Sequence, residues 1–182
     1  QMFTEHAVPH DDPRMASVYD NYEDNLVGII ETLQAKGMHV VLSSVPVNLR
    51  HSAPFLSVHR RDLSDDRLNQ WRESTRQGAQ SAGQGNWDDA IAHFQAALAI
   101  DPDYADTHFR LATAFENAGQ YAQAKAHYQR ALDLDALRFR TDTKMNGIIR
   151  RVAAGSGQEA LSFVDSAAAA EQASQPFQPG WN

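Results

Sequence analysis

A repeat of 34 residues constrains the folding of this chain more than any other feature. When the sequence is shifted by 34 residues, identical or similar side chains coincide between residues 85 and 131. The coinciding pairs are Gly85 with Gly119, Trp87 with Tyr121, Ala90 with Ala124, His93 with His127, Phe94 with Tyr128 and Ala97 with Ala131. A period of this length is typical of stacked helical hairpins, in which small residues let neighbouring helices approach closely. The sequence therefore predicts two helix-turn-helix units over residues 65–135.

These two units carry a recognisable pattern. In the first copy it comprises Gly78, Gly85, Trp87, Ala90, Phe94, Ala97 and Pro102, and in the second Leu111, Ala112, Phe115, Gly119, Tyr121, Ala124, Tyr128 and Ala131. On these residues the chain resembles the tetratricopeptide-repeat family. The first helix of the first copy departs from the family, because Ser74 and Gln77 stand where large apolar residues are usual. Such solenoids need about three units to be stable alone, so we expect flanking helices to cap the stack.

The resemblance implies a binding surface. In that family the first helix of each unit lines a concave groove that binds peptides. Carried over by repeat position, the groove residues are Arg72, Thr75, Ala79, Asp106, Phe109, Thr113, Glu116 and Asn117. Phe109 would be the apolar anchor, and the acidic residues favour a basic or neutral protein or peptide partner. The alternative is that the repeats serve only as a spacer or packing element within a larger domain.

One ligand class is not expected in this groove. The chaperone-binding subset of the family holds a terminal carboxylate with Lys and Asn residues at the positions that Thr75 and Ala79 occupy here. Neither of these side chains carries the positive charge or the amide that such a ligand needs.

The residues before the repeats predict one helix and one strand. Asp12-Pro13 is typical of a helix start, apolar residues recur at three- and four-residue steps from Met15 to Leu33, and Gly37 suits the helix end. The apolar run from Val40 to Val45 predicts a buried strand of the parallel type. Residues 48–61 are expected to form a loop.

The residues after the repeats follow the same order. A helix is expected over residues 139–154 with a stop at 155–157, then a second buried strand over 161–164, and no regular element over 167–182. We expect the two strands to be parallel neighbours, with the repeats inserted in the crossover between them. The predicted fold is mostly α, with two repeat units inserted in a small α/β fragment of βαβ type. The predicted domains are 1–60, a helix plus a strand; 65–135, the repeats; and 136–182, a capping helix, a strand and an irregular tail.

The flanks resemble a second family. Residues 21–26, 35–37 and 40–49 are similar to the middle of SGNH (GDSL-type) hydrolases, which have a flavodoxin-like fold. In a bacterial subset of that family, tetratricopeptide repeats interrupt the domain and are followed by a stretch similar to residues 135–140, and residues 179–182 are similar to the segment before the family's Asp-x-x-His block. The resemblance implies an alternative function, the interior segment of an esterase or acyl hydrolase.

The catalytic groups of such a hydrolase are not in this sequence. It has no Gly-Asp-Ser, and no histidine has an aspartate three residues before it. A serine nucleophile needs a base, and that base needs an orienting carboxylate. We therefore assign no catalytic residue and expect the catalytic serine and the Asp/His block to lie outside this chain, which alone should not hydrolyse esters. Ser43 and Ser44 follow the first strand, but no Gly-x-Ser-x-Gly turn surrounds them, which favours a structural role.

Composition limits the classes of partner and of site that this chain can have. Acidic residues outnumber basic ones 23 to 16, giving a formal charge of −7, so a nucleic-acid partner is disfavoured. With no cysteine, disulfides, thiolate zinc sites and iron–sulfur clusters are excluded. No apolar stretch approaches the length of about 18 residues that a membrane span needs. His6, His10, Asp11 and Asp12 have spacing compatible with a metal site, but a solvated tail is more typical, and no metal or cofactor is expected.

The sequence also gives expectations for four further positions. Asn48 and Arg50, in the loop after the first strand, either line a substrate crevice or cap the carbonyl groups of that strand. His127, like its repeat equivalent His93, falls on the second helix of its unit and is expected to face solvent. Neither the compartment nor the oligomeric state is indicated by these patterns.

Overall fold

A computed structural model describes residues 7–156 and 160–173 of the chain. The expectations for His6, for the helix stop at Gly157 and for residues 174–182 lie outside the described residues. The chain divides into two compact units, which we call the repeat unit and the sheet unit. The repeat unit contains residues 7–10 and Leu49–Arg138, and the sheet unit contains Asp11–Asn48 and the described residues after Arg138.

The described residues form seven helices and two short strands, so the chain is mostly helical as predicted. In chain order they are α1 Arg14–Ala35, β1 Val40–Ser43, α2 Asp65–Gly83, α3 Trp87–Ile100, α4 Ala105–Asn117, α5 Tyr121–Asp133, α6 Thr143–Gly155, β2 Leu161–Val164 and α7 Ser166–Ala173.

The repeat unit contains two helical hairpins at the predicted positions. Helices α2 and α3 form the first, and α4 and α5 form the second. Gly85 and Gly119 lie in the equivalent turns with φ of 76° and 75°, a left-handed conformation that glycine adopts without steric cost. Ala90 and Ala124 are completely buried, which agrees with the prediction that small residues stand where the helices meet.

The first helix of the first copy is complete despite its polar sequence. Ser64 caps it by accepting a hydrogen bond from the Arg67 amide, and this replaces a partner that the first turn of a helix lacks. Trp71 then packs against Ala97 and Ile100 of α3. A single large aromatic therefore supplies the contact that Ser74 and Gln77 do not.

The sheet unit contains the predicted parallel pair. Val40 pairs with Leu161 and Ser43 with Val164, so the prediction that the two strands are parallel neighbours is confirmed. The prediction that both are buried is wrong, because Val41 is 67% exposed and Val164 is 47% exposed. Alternate residues of a strand point to opposite faces, and in the described part of the chain only the face carrying Val40 and Leu161 is covered.

Two features of the helices differ from the predictions, the burial of α1 and the start of α6. In α1 the exposed side chains of Val18 and Ile29 interrupt the apolar stripe that was expected to be buried. Helix α6 begins at Thr143 and not near residue 139, because the Asp142 carboxylate accepts the Met145 amide and caps the helix there. Phe139 is consequently outside the helix and 66% exposed.

Helix α7 lies within a stretch for which no element was predicted. The Asp165 carboxylate accepts a hydrogen bond from the Ala168 amide, and the Ser44 hydroxyl accepts one from the Ala167 amide. Two of the free amides at the start of α7 are therefore satisfied, and one of the two acceptors is the residue that follows β1, more than 120 residues earlier. A local sequence pattern does not contain that acceptor.

Candidate peptide-binding groove

A cavity of about 390 Å³ opens on the face of the repeat unit lined by α2 and α4. Its walls are mainly apolar, with one ion pair between Asp106 and Arg110 of α4, 2.6 Å apart. The lining residues are Ala53, Ala79, Ala82, Trp87, Phe94, Asp106, Phe109, Arg110, Thr113 and Ala114. A concave apolar surface with a few polar groups at its edge is typical of a ligand site.

Phe109 forms one wall of this cavity and packs against Tyr128 of α5 on the side away from it. The side chain is half-buried, and its ring meets the ring of Tyr128 edge-on with centroids 5.1 Å apart. Edge-to-face contacts of this kind are favourable. Phe109 is therefore fixed in place by α5 while its other side remains available to a ligand.

A carboxylate lies beyond Phe109 along α4. The Tyr128 hydroxyl donates a hydrogen bond to Glu116 Oε2 at 3.0 Å, and Arg50 Nη2 lies 2.5 Å from Glu116 Oε1. Burial, together with the nearby Glu116 charge, raises the pKa of Tyr128 to about 12, so the phenol keeps its proton and acts as a donor. The Glu116 side chain is only 13% exposed, and Arg50 supplies the cation beside it.

Residues 50–59 of the chain itself lie along this surface. Arg50 contacts Glu116 near the C-terminal end of α4, whereas the Ser57 hydroxyl accepts the Asp106 amide near its N-terminal end at 2.8 Å. Ten helical residues span about 15 Å, and seven extended residues reach about 23–25 Å. The segment therefore runs antiparallel to α4, and it spans the distance between these two contacts without being fully extended.

The second half of this segment is anchored by a buried carboxylate. Asp135 is 3% exposed and accepts the amides of Phe55 at 2.9 Å and Leu56 at 3.1 Å. The Leu56 carbonyl in turn accepts the Ala136 amide at 2.9 Å. Hydrogen bonds to a charged group are stronger than those between neutral groups, so this part of the segment is firmly attached to the end of α5.

His59 provides a further attachment of this segment to the repeat unit. Its Nδ1 lies 2.7 Å from a carboxylate oxygen of Asp101, which is completely buried. The imidazole stacks on Tyr104 with centroids 4.3 Å apart and meets Trp71 edge-on at 4.5 Å. An aromatic cluster and a buried carboxylate within hydrogen-bond distance therefore hold the end of the segment against α2.

The groove residues assigned from the sequence do not all meet. Asp106, Phe109, Thr113 and Ala79 line the cavity, and Glu116 lies beyond it on α4. The other members of the set are outside: Asn117 donates to the Thr113 carbonyl, Arg72 donates to Asn69, and the Thr75 hydroxyl is buried. Of the two crevice candidates, Arg50 pairs with Glu116, and Asn48 is exposed and belongs to the sheet unit.

The sequence reasoning did not identify Asp101, Asp135 or residues 53–59 as part of this surface. The only local signal in the segment is Pro54, which indicates irregular backbone and nothing about where that backbone lies.

Comparisons with known proteins agree with this geometry. Residues 81–139 match the family model described as Tetratricopeptide repeat. This match supports tetratricopeptide repeats in the repeat unit. No curated protein and no solved structure matches the chain, and the resemblance to SGNH hydrolases receives no support from these comparisons. Tetratricopeptide repeats suggest a protein–protein interaction module.

The second repeat also contains a histidine pair. His108 Nδ1 lies 2.9 Å from His127 Nδ1, and His108 Nε2 lies 2.9 Å from the Pro102 carbonyl. Burial lowers the pKa of His108, and burial together with the neighbouring His108 lowers the pKa of His127 to about 4. The expectation that His127 faces solvent is therefore wrong, because its ring is stacked between those of His108 and Phe115.

Ser43 and Ser44 take part in hydrogen bonds that hold the sheet unit together. Ser44 is 2% exposed and donates to Asp165 Oδ1 at 2.6 Å, while the Ser43 hydroxyl bonds that of Ser166. The Arg150 guanidinium binds both oxygens of Asp165 and, with the Ser44 bond, holds the pKa of that carboxyl well below its usual range. This arrangement caps α7 and joins the strand ends.

The described residues contain neither a metal-ligating cluster nor a membrane-spanning helix. Between residues 7 and 156 and between 160 and 173, no three histidine or acidic side chains are placed to share a metal ion. Among the helices described, none has the length and hydropathy to cross a membrane.

Proposed function

We propose that this chain is a protein-interaction module and that the concave face of its repeats binds an extended segment of a partner protein. The observation that supports the proposal is the cavity beside Phe109, which has mainly apolar walls and one ion pair, Asp106 with Arg110, among its lining residues. An apolar side chain placed there would lose contact with water on several sides, and a few such anchors usually dominate the energy of binding.

The net charge of the chain favours a basic or neutral partner. Asp106, which lines the cavity, and Glu116, close by on the same helix, are paired with Arg110 and Arg50, whereas the chain as a whole carries a formal charge of −7. Complementary charge speeds association and selects among partners more than it adds affinity.

A peptide-display experiment tests the proposal. Ten-residue peptides selected on the wild-type chain should lose binding by more than about tenfold when Ala79→Trp fills the cavity, since one well-buried apolar anchor is worth at least that factor. Ala79 is exposed at the cavity wall, so the larger side chain need not disturb the core. Ala92→Trp, on an exposed position of α3 that does not line the cavity, is the matched control. Equal binding by both variants would indicate that the repeats act as a spacer.

A second candidate is the interior segment of an SGNH-type esterase or acyl hydrolase. The observation that favours it is the parallel pairing of β1 with β2, because parallel strands occur mainly in α/β folds. The natural sequence adjoining residues 1 and 182 tests this candidate directly. A Gly-Asp-Ser before residue 1 together with an Asp-x-x-His after residue 182 would support it, and adjoining sequence without them would reject it.

A further inference from the structure

We propose that residues 50–54 form a displaceable arm over the Phe109 cavity, and that the partner segment replaces this arm by supplying its own basic and apolar side chains. This inference rests on the proposed function and specifies the chemistry of the partner. The arm is the first half of the segment that runs along α4, and residues 55–59 are its anchor.

The two halves of the segment differ in how exposed they are. The anchor engages two completely or almost completely buried carboxylates, Asp101 and Asp135. The arm is more exposed, since Ala53 is exposed and the Arg50 side chain is 40% exposed. The arm is therefore the half that a competing segment reaches from solvent, while the anchor keeps its base attached to the repeat unit.

The arm fills the cavity poorly. Ala53 contributes only a methyl group to the wall, and about 390 Å³ remains open beside it. A side chain of the size of leucine or methionine at this point would bury more apolar surface against Phe109 than Ala53 does. A partner carrying such a residue therefore has an advantage over the arm.

The carboxylate of Glu116 requires a replacement cation. Its side chain is 13% exposed and is paired with Arg50, and removing one partner of a partly buried ion pair is costly because the other charge stays poorly solvated. A partner that displaces Arg50 must bring an arginine or lysine to the same place. The spacing from Arg50 to Ala53 then predicts a basic residue followed three positions later by a leucine-sized apolar residue.

A synthetic peptide tests the arm. The probe is the sequence of residues 49–58 with Ala53→Leu, and its binding is measured by fluorescence anisotropy. An intramolecular arm competes at a high effective concentration, so the wild-type chain should bind the probe weakly. Arg50→Glu in the protein repels Glu116 and should tighten binding of the probe by about tenfold or more. Arg60→Glu changes the same charge on an exposed residue that pairs with Asp62 outside the arm, and it should bind like wild type.

The charge of the probe supplies a second comparison. A probe with Arg50→Glu should bind the Arg50→Glu protein at least about tenfold more weakly than the original probe. Two results would contradict the proposal of a displaceable arm. One is equal affinity of the original probe for the wild-type and Arg50→Glu proteins, and the other is equal affinity of both probes for the Arg50→Glu protein. A thermal melt shows whether the Arg50→Glu protein is folded. If it is not, Arg50→Gln, which removes the ion pair without reversing the charge, replaces it in both comparisons.

The arm and the proposed function can fail separately. If display-selected peptides bind wild type and lose affinity in Ala79→Trp, while Arg50→Glu changes neither their binding nor that of the probe, only the arm is rejected. If neither the selected peptides nor the probe binds any of these proteins, the groove itself is rejected.

Discussion

Gly78 of α2 lies directly against the ring of Phe94 in α3. A Cβ atom added to Gly78 would lie 2.7 Å from Phe94 Cε1 and 2.8 Å from Cδ1, distances shorter than van der Waals contact. Phe94 is only 2% exposed, so its ring has little room to move away. The close approach of the first two repeat helices therefore depends on a residue without a side chain.

The first prediction concerns this contact. Gly78→Ala should lower the free energy of unfolding by about 1–3 kcal/mol, because the added methyl group overpacks the helix interface. Gly83→Ala is the matched control, since a Cβ there meets nothing within 4 Å and alanine is favoured over glycine in a helix by about 0.5–1 kcal/mol. Urea unfolding midpoints measure both. A variant Gly78→Ala as stable as wild type would show that Phe94 has room to rotate.

The second prediction concerns pH and the histidine pair. An unfolded histidine has a pKa of about 6.5, whereas burial lowers the pKa of His108 and brings that of His127 to about 4. Between these values the unfolded chain binds protons that the folded chain does not, so stability should fall as the pH drops from about 6.5 towards 4. The pair should contribute about 1–3 kcal/mol to this loss.

Two variants isolate the histidine pair from the carboxylates that titrate in the same range. His127→Asn should flatten the pH dependence of the unfolding free energy, and His93→Asn, the same substitution at the equivalent position of the first copy, is the matched control. Chemical unfolding at pH 7.5, 6, 5 and 4 supplies the comparison. An unchanged slope in His127→Asn would mean that the pair does not resist protonation.

The third prediction concerns Phe109. Its ring is half-buried and contacts Tyr128 along one edge, so Phe109→Ala should cost about 1–2 kcal/mol of stability, less than the 3–5 kcal/mol typical of a fully buried phenylalanine. A thermal melt of the variant gives the result. A loss of about 3–5 kcal/mol of stability would mean that Phe109 belongs to the core and is not available to a ligand.

The fourth prediction concerns Asp135. Its carboxylate accepts the amides of Phe55, Leu56 and Leu137, so Asp135→Ala should cost at least about 2 kcal/mol by leaving these donors without a charged acceptor. Hydrogen exchange at the amides of Phe55 and Leu56 should accelerate more than exchange in α4. Asp88→Asn, on an exposed position of α3, should change neither quantity appreciably. Unaltered exchange in Asp135→Ala would show that the anchor does not depend on this carboxylate.

The fifth prediction concerns Ser44 in the sheet unit. Ser44→Ala removes both a donor to Asp165 and an acceptor for the Ala167 amide, and should cost about 1–2 kcal/mol as a lost helix cap. Ser43→Ala, on the exposed neighbour, should cost less. Helix α7 should lose protection from hydrogen exchange only in the first variant, and equal losses in both would contradict the capping role.

Predictions from the sequence succeeded where the relevant interactions are close together in the chain. The turn at Gly85 requires only a residue that tolerates a positive φ, and the helices on either side follow from apolar spacing within one turn or two. The start of α6 was missed by four residues because Asp142, and not the apolar residue at 139, provides the first acceptor of the helix. Apolar spacing indicates that a helix exists more reliably than it indicates where the helix begins.

The sequence by itself determined the repeat unit, since a 34-residue period with small residues at fixed positions is compatible with few structures other than stacked hairpins. Only the tertiary structure decided what lies on those hairpins. Residues 50–59 follow α4 because Glu116, Asp101 and Asp135, between 42 and 80 residues further along the chain, provide the charges that hold them. Periodicity describes neighbours along one helix, whereas contacts across such separations depend on how the helices are placed in space. The course of residues 50–59 along α4 therefore follows only from the tertiary structure.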